Sequence, residues 1–428
     1  MDDPSFLGMV TPSNSSGRLM HSVFGMLVIV AFAYTVSSSR DHVSWRTVGI
    51  AFVIQFAIGG LALFTSWGNR ALSAAADATG ALLSYSRAGI DFMFGQLAAY
   101  DGPIGFVFAV NVLPVVVFFS AFIAVMYHLG VMMWIVRFLG GGLRRLLGTS
   151  HAESMSAAAN IFVGQAEAPL VVKPFIPTMT RSELFAVMVG GLSTIAGSVM
   201  AGYVALGIPL EYLVTASFMA APGGLMMAKL IEPETDNPVV PKVGDASTTP
   251  RYVNLIDAAA TGALDGLRMA AAIAAMLIAF VALIALVNGI LQYFGAYVGY
   301  GEVTLEMILG FLLSPVAWLL GVPWADASTA GSLIGQKLIL NEFVAYVAYS
   351  DVSASMSPIS QAIVIFALCG FANLSSIAIL LGGLGALAPS RRDDISRLGV
   401  RALIAATLAN LMNAALAGFF LSLPGAAG

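Results

Sequence analysis

The chain has 428 residues, of which 59% are hydrophobic and only 10% are charged, with a formal net charge of −4. A soluble domain carries charge at about 25% of its positions, so this chain cannot clothe itself in a polar surface, and lipid must be its solvent. The slight acidity speaks against a nucleic-acid partner, and the lone cysteine, Cys369, excludes an intrachain disulfide and a thiolate metal cluster.

A membrane-spanning helix needs about 20 mostly apolar residues. The chain opens Met1-Asp2-Asp3-Pro4 with no basic segment ahead of its first apolar run, so that run is read as a retained span over 19–37. A second span follows at 46–66. Residues 69–100 differ: they mix Ala and Leu with Asn69, Arg70, Asp77, Arg87 and Asp91. That pattern predicts an amphipathic helix lying in the interface, with an ordinary extramembrane helix as the alternative. A long apolar run covers 104–138, and 144–178 is weaker and polar in its middle. Clear spans return at 182–206, 211–230 and 266–294, with 231–265 read as a cytoplasmic loop. Residues 303–349 are apolar but interrupted by Pro315, Pro323, Asp326 and Gly331. The last two spans are 358–388 and 398–422.

Fifteen of the nineteen basic residues fall in five groups: Arg40 and Arg46; Arg137, Arg144 and Arg145; Lys173 and Arg181; Lys229, Lys242, Arg251 and Arg268; and Arg391, Arg392, Arg397 and Arg401. Basic loops face the cytoplasm. All five groups share that side only if 144–178 and 303–349 each enter and leave from one face. The expected fold is therefore an all-α integral membrane protein with eight transmembrane helices, two opposed re-entrant hairpins, an interfacial amphipathic helix, and both termini outside. Leu192-Ser193-Thr194-Ile195-Ala196 after the first hairpin matches Leu374-Ser375-Ser376-Ile377-Ala378 after the second. With hairpins at corresponding positions, this points to an inverted repeat. Residues 1–103 are then a scaffold, 104–230 a first repeat with a broken span at 182–206, and 266–428 a second with a broken span at 358–388. Such repeats place a solute site near the midplane, at their interface.

Polar residues gather in both hairpins, where each is costly unless a partner or ligand satisfies it. The first contains Asn160-Ile161-Phe162-Val163-Gly164-Gln165-Ala166-Glu167-Ala168-Pro169, and the second has Lys337 and then Asn341-Glu342-Phe343. The following span carries Phe371-Ala372-Asn373-Leu374-Ser375-Ser376, with Asn373 and Ser376 on one helical face. Plainer readings stand beside these: Ser375 and Ser376 bonded back to helix carbonyls, Asn160 capping a broken helix, Glu342 ion-paired with Lys337, and Phe371 as packing.

These stretches resemble the concentrative nucleoside transporter family. The resemblance rests on Gly164-Gln165-Ala166-Glu167-Ala168-Pro169-Leu170, on Thr180 to Met188, and on Ile195-Ala196-Gly197-Ser198-Val199. It continues through Leu340-Asn341-Glu342-Phe343-Val344-Ala345-Tyr346 and Ala367 to Ser376, and covers about 104–422. It implies a homotrimeric secondary active symporter of the plasma membrane, in bacteria the inner membrane, that imports nucleosides on the sodium gradient. A transport domain moving against a scaffold, as an elevator, would carry the site. By resemblance, Gly164, Gln165, Glu167 and Val199 meet the base, and Glu342, Asn373 and Ser376 meet the ribose with Phe371 beside them. Sodium, the coupling ion, falls on Asn160, Val163, Thr194 and Ile195; no further cofactor is implied. A carboxylate suits vicinal ribose hydroxyls, and an amide both donates to and accepts from a base edge. Ala166 departs from the pattern, which has Thr there, and leaves purine against pyrimidine preference open. Alternatives are proton coupling, another small polar solute, or a channel. No His-Glu-x-x-His or Gly-x-Ser-x-Gly motif supports an intramembrane enzyme.

Overall fold

Long apolar runs leave the backbone one way to satisfy itself in lipid, and the chain takes it: every described regular element is helical. A computed structural model describes residues 15–99, 105–165, 167–236, 238, 252–297, 299 and 302–423. The two chain ends, Ala166, and most of the linker 237–251 lie outside these residues. The elements are α1 (Ser15–Thr35), α2 (Trp45–Phe64), α3 (Ser66–Phe94), α4 (Phe108–Asn111), α5 (Leu113–His128), α6 (Val131–Leu147), α7 (His151–Asn160) and a 3-10 stretch at Ala168–Thr178. Then come α8 (Arg181–Ser193), α9 (Gly197–Ala205), α10 (Leu210–Ile231), α11 (Leu255–Tyr297) and α12 (Leu305–Leu319). The chain finishes with α13 (Trp324–Ile339), α14 (Glu342–Val352), α15 (Pro358–Leu368), α16 (Leu374–Leu387) and α17 (Arg392–Leu421).

Among the described residues, six stretches are long and apolar enough to cross a membrane: α2, α4–α5 taken together, α8–α9, α10, α11, and 389–421. The core lies around α8–α9, 94% buried in its apolar window, while α11 is only 11% buried. Capping boxes start both elements that lead into the polar centre. Ser150 and Glu153 open α7, and Thr180 and Glu183 open α8.

Three boundaries differ from the hydropathy reading. The run 104–138 is not one span: Gly130, at φ 76°, ends it and starts α6, whose polar face carries Arg137, Arg144 and Arg145. Hydropathy does not register the sign of φ, which only glycine adopts without cost. The stretch 303–349 is likewise three helices. α12 meets α13 at 115° across Gly321, φ 103°, and Pro323. The arms that converge on a sharp turn at Leu340-Asn341 are α13 and α14. Finally, the loop read over 231–265 is helical from Leu255 onward, as the first turns of α11.

The early spans do not all pack on the same elements. Gln55 in α2 donates to Asn413 Oδ1 in α17 at 2.6 Å, and Phe56 packs on Phe420 with ring centroids 4.7 Å apart. Ser22 in α1 donates to Leu320 O, and Arg401 in α17 to Val36 O. α1 and α2 are thus bound to the core. α3 instead packs on α5, with Ile90 clustered beside Val115 and Phe119. α5 lies along α11, where Gly262 and Gly266 admit the backbone of Ser120 and Val117 so closely that any side chain would clash.

Charged groups gather where α7, α8, α10 and α17 meet. Lys229 pairs with Glu153 and donates to Ser182 Oγ at 2.9 Å. Glu232 binds Arg181 at 2.7 Å and lies 3.5 Å from Arg401.

Candidate functional site

Two of the apolar spans stop in mid-protein. α8 ends at Ser193 and resumes as α9 at Gly197; α15 ends at Leu368 and resumes as α16 at Leu374. A helix end leaves carbonyls without intrahelical partners, and inside lipid these must be met by protein. Asn410 of α17 donates to Ser193 O at 2.7 Å and to Cys369 O at 3.0 Å. Lys337 Nζ donates to Ala367 O at 2.9 Å and to Asn410 Oδ1 at 2.7 Å. The Phe371 amide donates to Thr194 O at 3.1 Å, so the two breaks cross in contact. Gly370 allows this approach: a Cβ there would stand 2.4 Å from Asn410 Oδ1.

Beside the crossing lies a cavity of about 190 Å³. All eight residues assigned to the nucleoside line it: Gly164, Gln165, Glu167, Val199, Glu342, Phe371, Asn373 and Ser376. Glu342, the first residue of α14, is buried, yet both oxygens are engaged. Tyr203 OH donates to Oε1 at 3.0 Å and Asn373 Nδ2 to Oε2 at 2.9 Å. Asn373 caps α16, its Oδ1 accepting from the Ser376 amide at 2.9 Å and from Ser375 Oγ at 2.7 Å. Asn341 caps α14 in the same way through the Val344 amide. Two helix N-termini therefore aim at the cavity, and their dipoles favour the negative charge of Glu342 there.

The first tip is more loosely held. Gln165 Nε2 reaches Ser376 Oγ at 3.3 Å, and its buried Oε1 finds no partner among the described residues. Glu167 accepts only a long bond, 3.3 Å, from the Gly164 amide among the hydrogen bonds seen, and its side chain is exposed to the cavity. It also lines a second cavity of about 290 Å³ that runs toward Tyr127, Tyr252 and Asp265.

The four residues assigned to sodium are all buried. Asn160 Nδ2 donates back to Ser156 O at 2.9 Å, which leaves Oδ1 unpartnered among the described residues. Thr194 Oγ1 donates to Gly190 O at 2.9 Å, which leaves its lone pairs free to accept. The tip and the break touch: the Gly197 amide donates to Phe162 O at 3.0 Å, and a Cβ on Gly164 would meet that of Ala196 at 3.2 Å. Asn160, Val163, Thr194 and Ile195 thus sit on two elements in contact. An unpartnered amide oxygen, a hydroxyl and the carbonyls of a broken helix suit a small hard cation.

Several plainer readings lapse here. Lys337 bonds to a carbonyl and to Asn410, and makes no ion pair with Glu342. Ser375 Oγ serves Asn373, and Ser376 Oγ receives Gln165. Sequence reasoning missed Tyr203 and the wall made by Met269, Ala272, Ile273 and Met276 of α11. The spacing of those four marks one helical face, but in a uniformly apolar helix nothing sets it apart.

Comparison with known proteins covers most of the chain. Residues 24–97 match the "Na+ dependent nucleoside transporter N-terminus", 109–210 "Nucleoside recognition", and 212–418 the "Na+ dependent nucleoside transporter C-terminus". The chain is 46% identical to the nucleoside permease NupC of Helicobacter pylori, over 94% of this chain and 98% of that one. It is 38% identical to human sodium/nucleoside cotransporter 1, over 97% of this chain and 66% of that one. The structure of CNTnw in an inward-facing substrate-bound state is 51% identical, covers 96% of this chain and 100% of that one, and superposes with a TM-score of 0.91. A CNTnw variant in an outward-facing state superposes at 0.90. A lineage with this reach of identity and this fold leaves one assignment: the chain is a multi-pass membrane protein of the concentrative, Na+-dependent nucleoside transporter family.

Proposed function

We propose that the chain is a secondary active symporter that imports nucleosides on the sodium gradient. One observation carries the reading: eight residues from two distant segments, 164–199 and 342–376, line a single cavity. Glu342, with Asn373 and Ser376, takes the ribose hydroxyls through charge-assisted hydrogen bonds. Gln165, with Gly164 and Glu167, takes the base edge, and Val199 and Phe371 supply apolar contact. Sodium sits on Asn160, Val163, Thr194 and Ile195, between the first tip and the α8–α9 break.

The architecture read from sequence belongs to this proposal: eight transmembrane helices, two opposed re-entrant hairpins, an inverted repeat, and a homotrimer in the bacterial inner membrane with both termini outside. The order of elements supports the repeat. Long span, separate helix, hairpin, broken span and long span occur as α5 to α10 and again as α11 to α17. The mobile unit comprises both hairpins, both broken spans, α10 and α17, with α1 and α2 attached. It moves as an elevator against α3, α5 and α11. Every polar group on the cavity belongs to the mobile unit, whereas α11 offers only Met269, Ala272, Ile273 and Met276. Sliding past this wall gives up little: the hydrogen bond that α9 makes to it among the described residues, Ser198 Oγ to Met269 Sδ at 3.5 Å, is a weak one.

The test is uptake of labelled uridine and adenosine into proteoliposomes, with and without an inward sodium gradient. Accumulation should follow sodium. Uptake that follows a proton gradient and ignores sodium establishes the proton-coupled alternative, and failure of both nucleosides to compete with any transported solute ends the nucleoside reading. On a Cys369→Ala background, a disulfide between α11 and α9 should stop uptake, and one within the mobile unit should spare it. Full uptake with α11 locked to α9 removes the elevator.

A further inference from the structure

Both broken spans present a helix C-terminus to the middle of the protein, α8 at Ser193 and α15 at Leu368. Such an end carries unpaired carbonyls and roughly half a negative charge, and it favours a cation. At the first break, the orphaned Asn160 Oδ1, the Thr194 hydroxyl and the nearby carbonyls suit sodium. At the second break the cation is already part of the chain. Lys337, 1% exposed, brings its ammonium to Ala367 O and Asn410 Oδ1.

We propose that the Lys337 ammonium is a built-in cation that holds the second broken span as sodium holds the first. Lys337 thereby acts as a positioning residue for Glu342 and Asn373. The proposal rests on the sodium reading above for its analogy, not for its test.

The donor sets match in kind: each half supplies one asparagine amide oxygen and the carbonyl end of a broken helix. Asn410 joins them, since the same amide accepts from Lys337 and donates to Ser193 O at the first break. A lysine serving only to fill space would be replaceable by an apolar chain, because burying an ammonium in lipid is expensive. This ammonium has no carboxylate within ion-pair distance among the described residues; its partners are neutral oxygens. That is how a protein binds a hard monovalent cation. Cutting the side chain back leaves those oxygens facing a gap with a cation's preference, and sodium is the cation at hand.

The experiment compares the full chain with Lys337→Ala, Lys337→Met and Asn160→Ala/Lys337→Ala. Thermal melting is read in sodium and in choline, and the sodium dependence of uridine uptake in proteoliposomes. In Lys337→Ala, sodium should raise the melting temperature more than in the parent, and the Hill coefficient for sodium should rise by about one, the mark of one more linked site. The double variant should retain a sodium-dependent melting shift. Lys337→Met, long enough to fill the gap but uncharged, should melt lower than the parent and gain no sodium sensitivity. The proposal is overturned if Lys337→Ala shows the parent's sodium response, if Lys337→Met is as stable as the parent, or if Lys337→Ala cannot be recovered even at high sodium. A parent that ignores sodium ends the sodium reading alone, because the gain in Lys337→Ala is read independently.

Discussion

The segment that follows α7, here the first tip, and the α13–α14 turn, the second, meet at one cavity but come to it in different states. At the second tip no buried side-chain polar atom of the described residues lacks a partner: Glu342 is held by Tyr203 and Asn373, Asn341 Oδ1 by the Val344 amide, and Lys337 by Ala367 and Asn410. At the first, the amide oxygens of Asn160 and Gln165 have no partner among the described residues, and Glu167 holds one long bond. Buried polar atoms left unpaired cost free energy, so the first tip is completed by what it binds, whereas the second is built before anything arrives. On the assignment proposed above, the ribose would meet a rigid receptor, and the base and the ion would meet one that they help to order.

The sharpest break of this contrast is at the rigid tip. Glu342→Gln keeps the shape but loses a charged acceptor, worth about 1.5–3 kcal/mol. Uridine affinity, by calorimetry on purified protein, should fall by roughly 10- to 100-fold. Near-normal affinity in a folded variant removes Glu342 from the site. Asn160→Ala comes next, at the pliant tip. It should raise the sodium concentration for half-maximal uptake about tenfold while leaving the maximal rate nearly intact, because one neutral ligand is lost. An equal effect on uridine affinity at saturating sodium would contradict the assignment.

Tyr203→Phe sharpens the comparison further. It strips one donor from Glu342 and leaves Asn373 in place, so the cost should be about 1 kcal/mol, some fivefold in uridine affinity. If Tyr203→Phe shows no loss in affinity or melting temperature, the second tip is not preorganised through this bond. Gln165→Ala should have the smallest effect. Its long bond to Ser376 contributes little, and about twofold is expected. The change should differ between uridine and adenosine in competition uptake, whereas for Glu342→Gln it should be the same. An identical loss for both nucleosides would place Gln165 away from the base.

The same contrast explains what was legible in the sequence. Asn160, Gln165, Glu167, Glu342 and Asn373 stand out because a polar residue inside an apolar run requires a reason. Tyr203 did not, since one tyrosine in an apolar span has an apolar body and is easily housed. Met269, Ile273 and Met276 were invisible for the opposite reason: in a helix that is apolar all round, the face turned to the cavity and the face turned to lipid look alike. The turn at Gly130 escaped because hydropathy sums residues without regard to backbone direction. The attachment of α1 and α2 to α17 escaped because order along a chain says nothing about which spans pack together.

That attachment bears on how the chain is made. Gln55, fully buried in α2, has its amide partner 358 residues later, at Asn413. A ribosome adding about 5–20 residues per second takes roughly 20–70 seconds to cover that distance. Through that interval the second span sits in the bilayer with its glutamine facing whatever water, lipid headgroup or insertion machinery will accept it. The molecule cannot be finished from its beginning. Its first spans wait for its last helix to be translated, and a chain released early would leave that glutamine as a ready signal for membrane quality control.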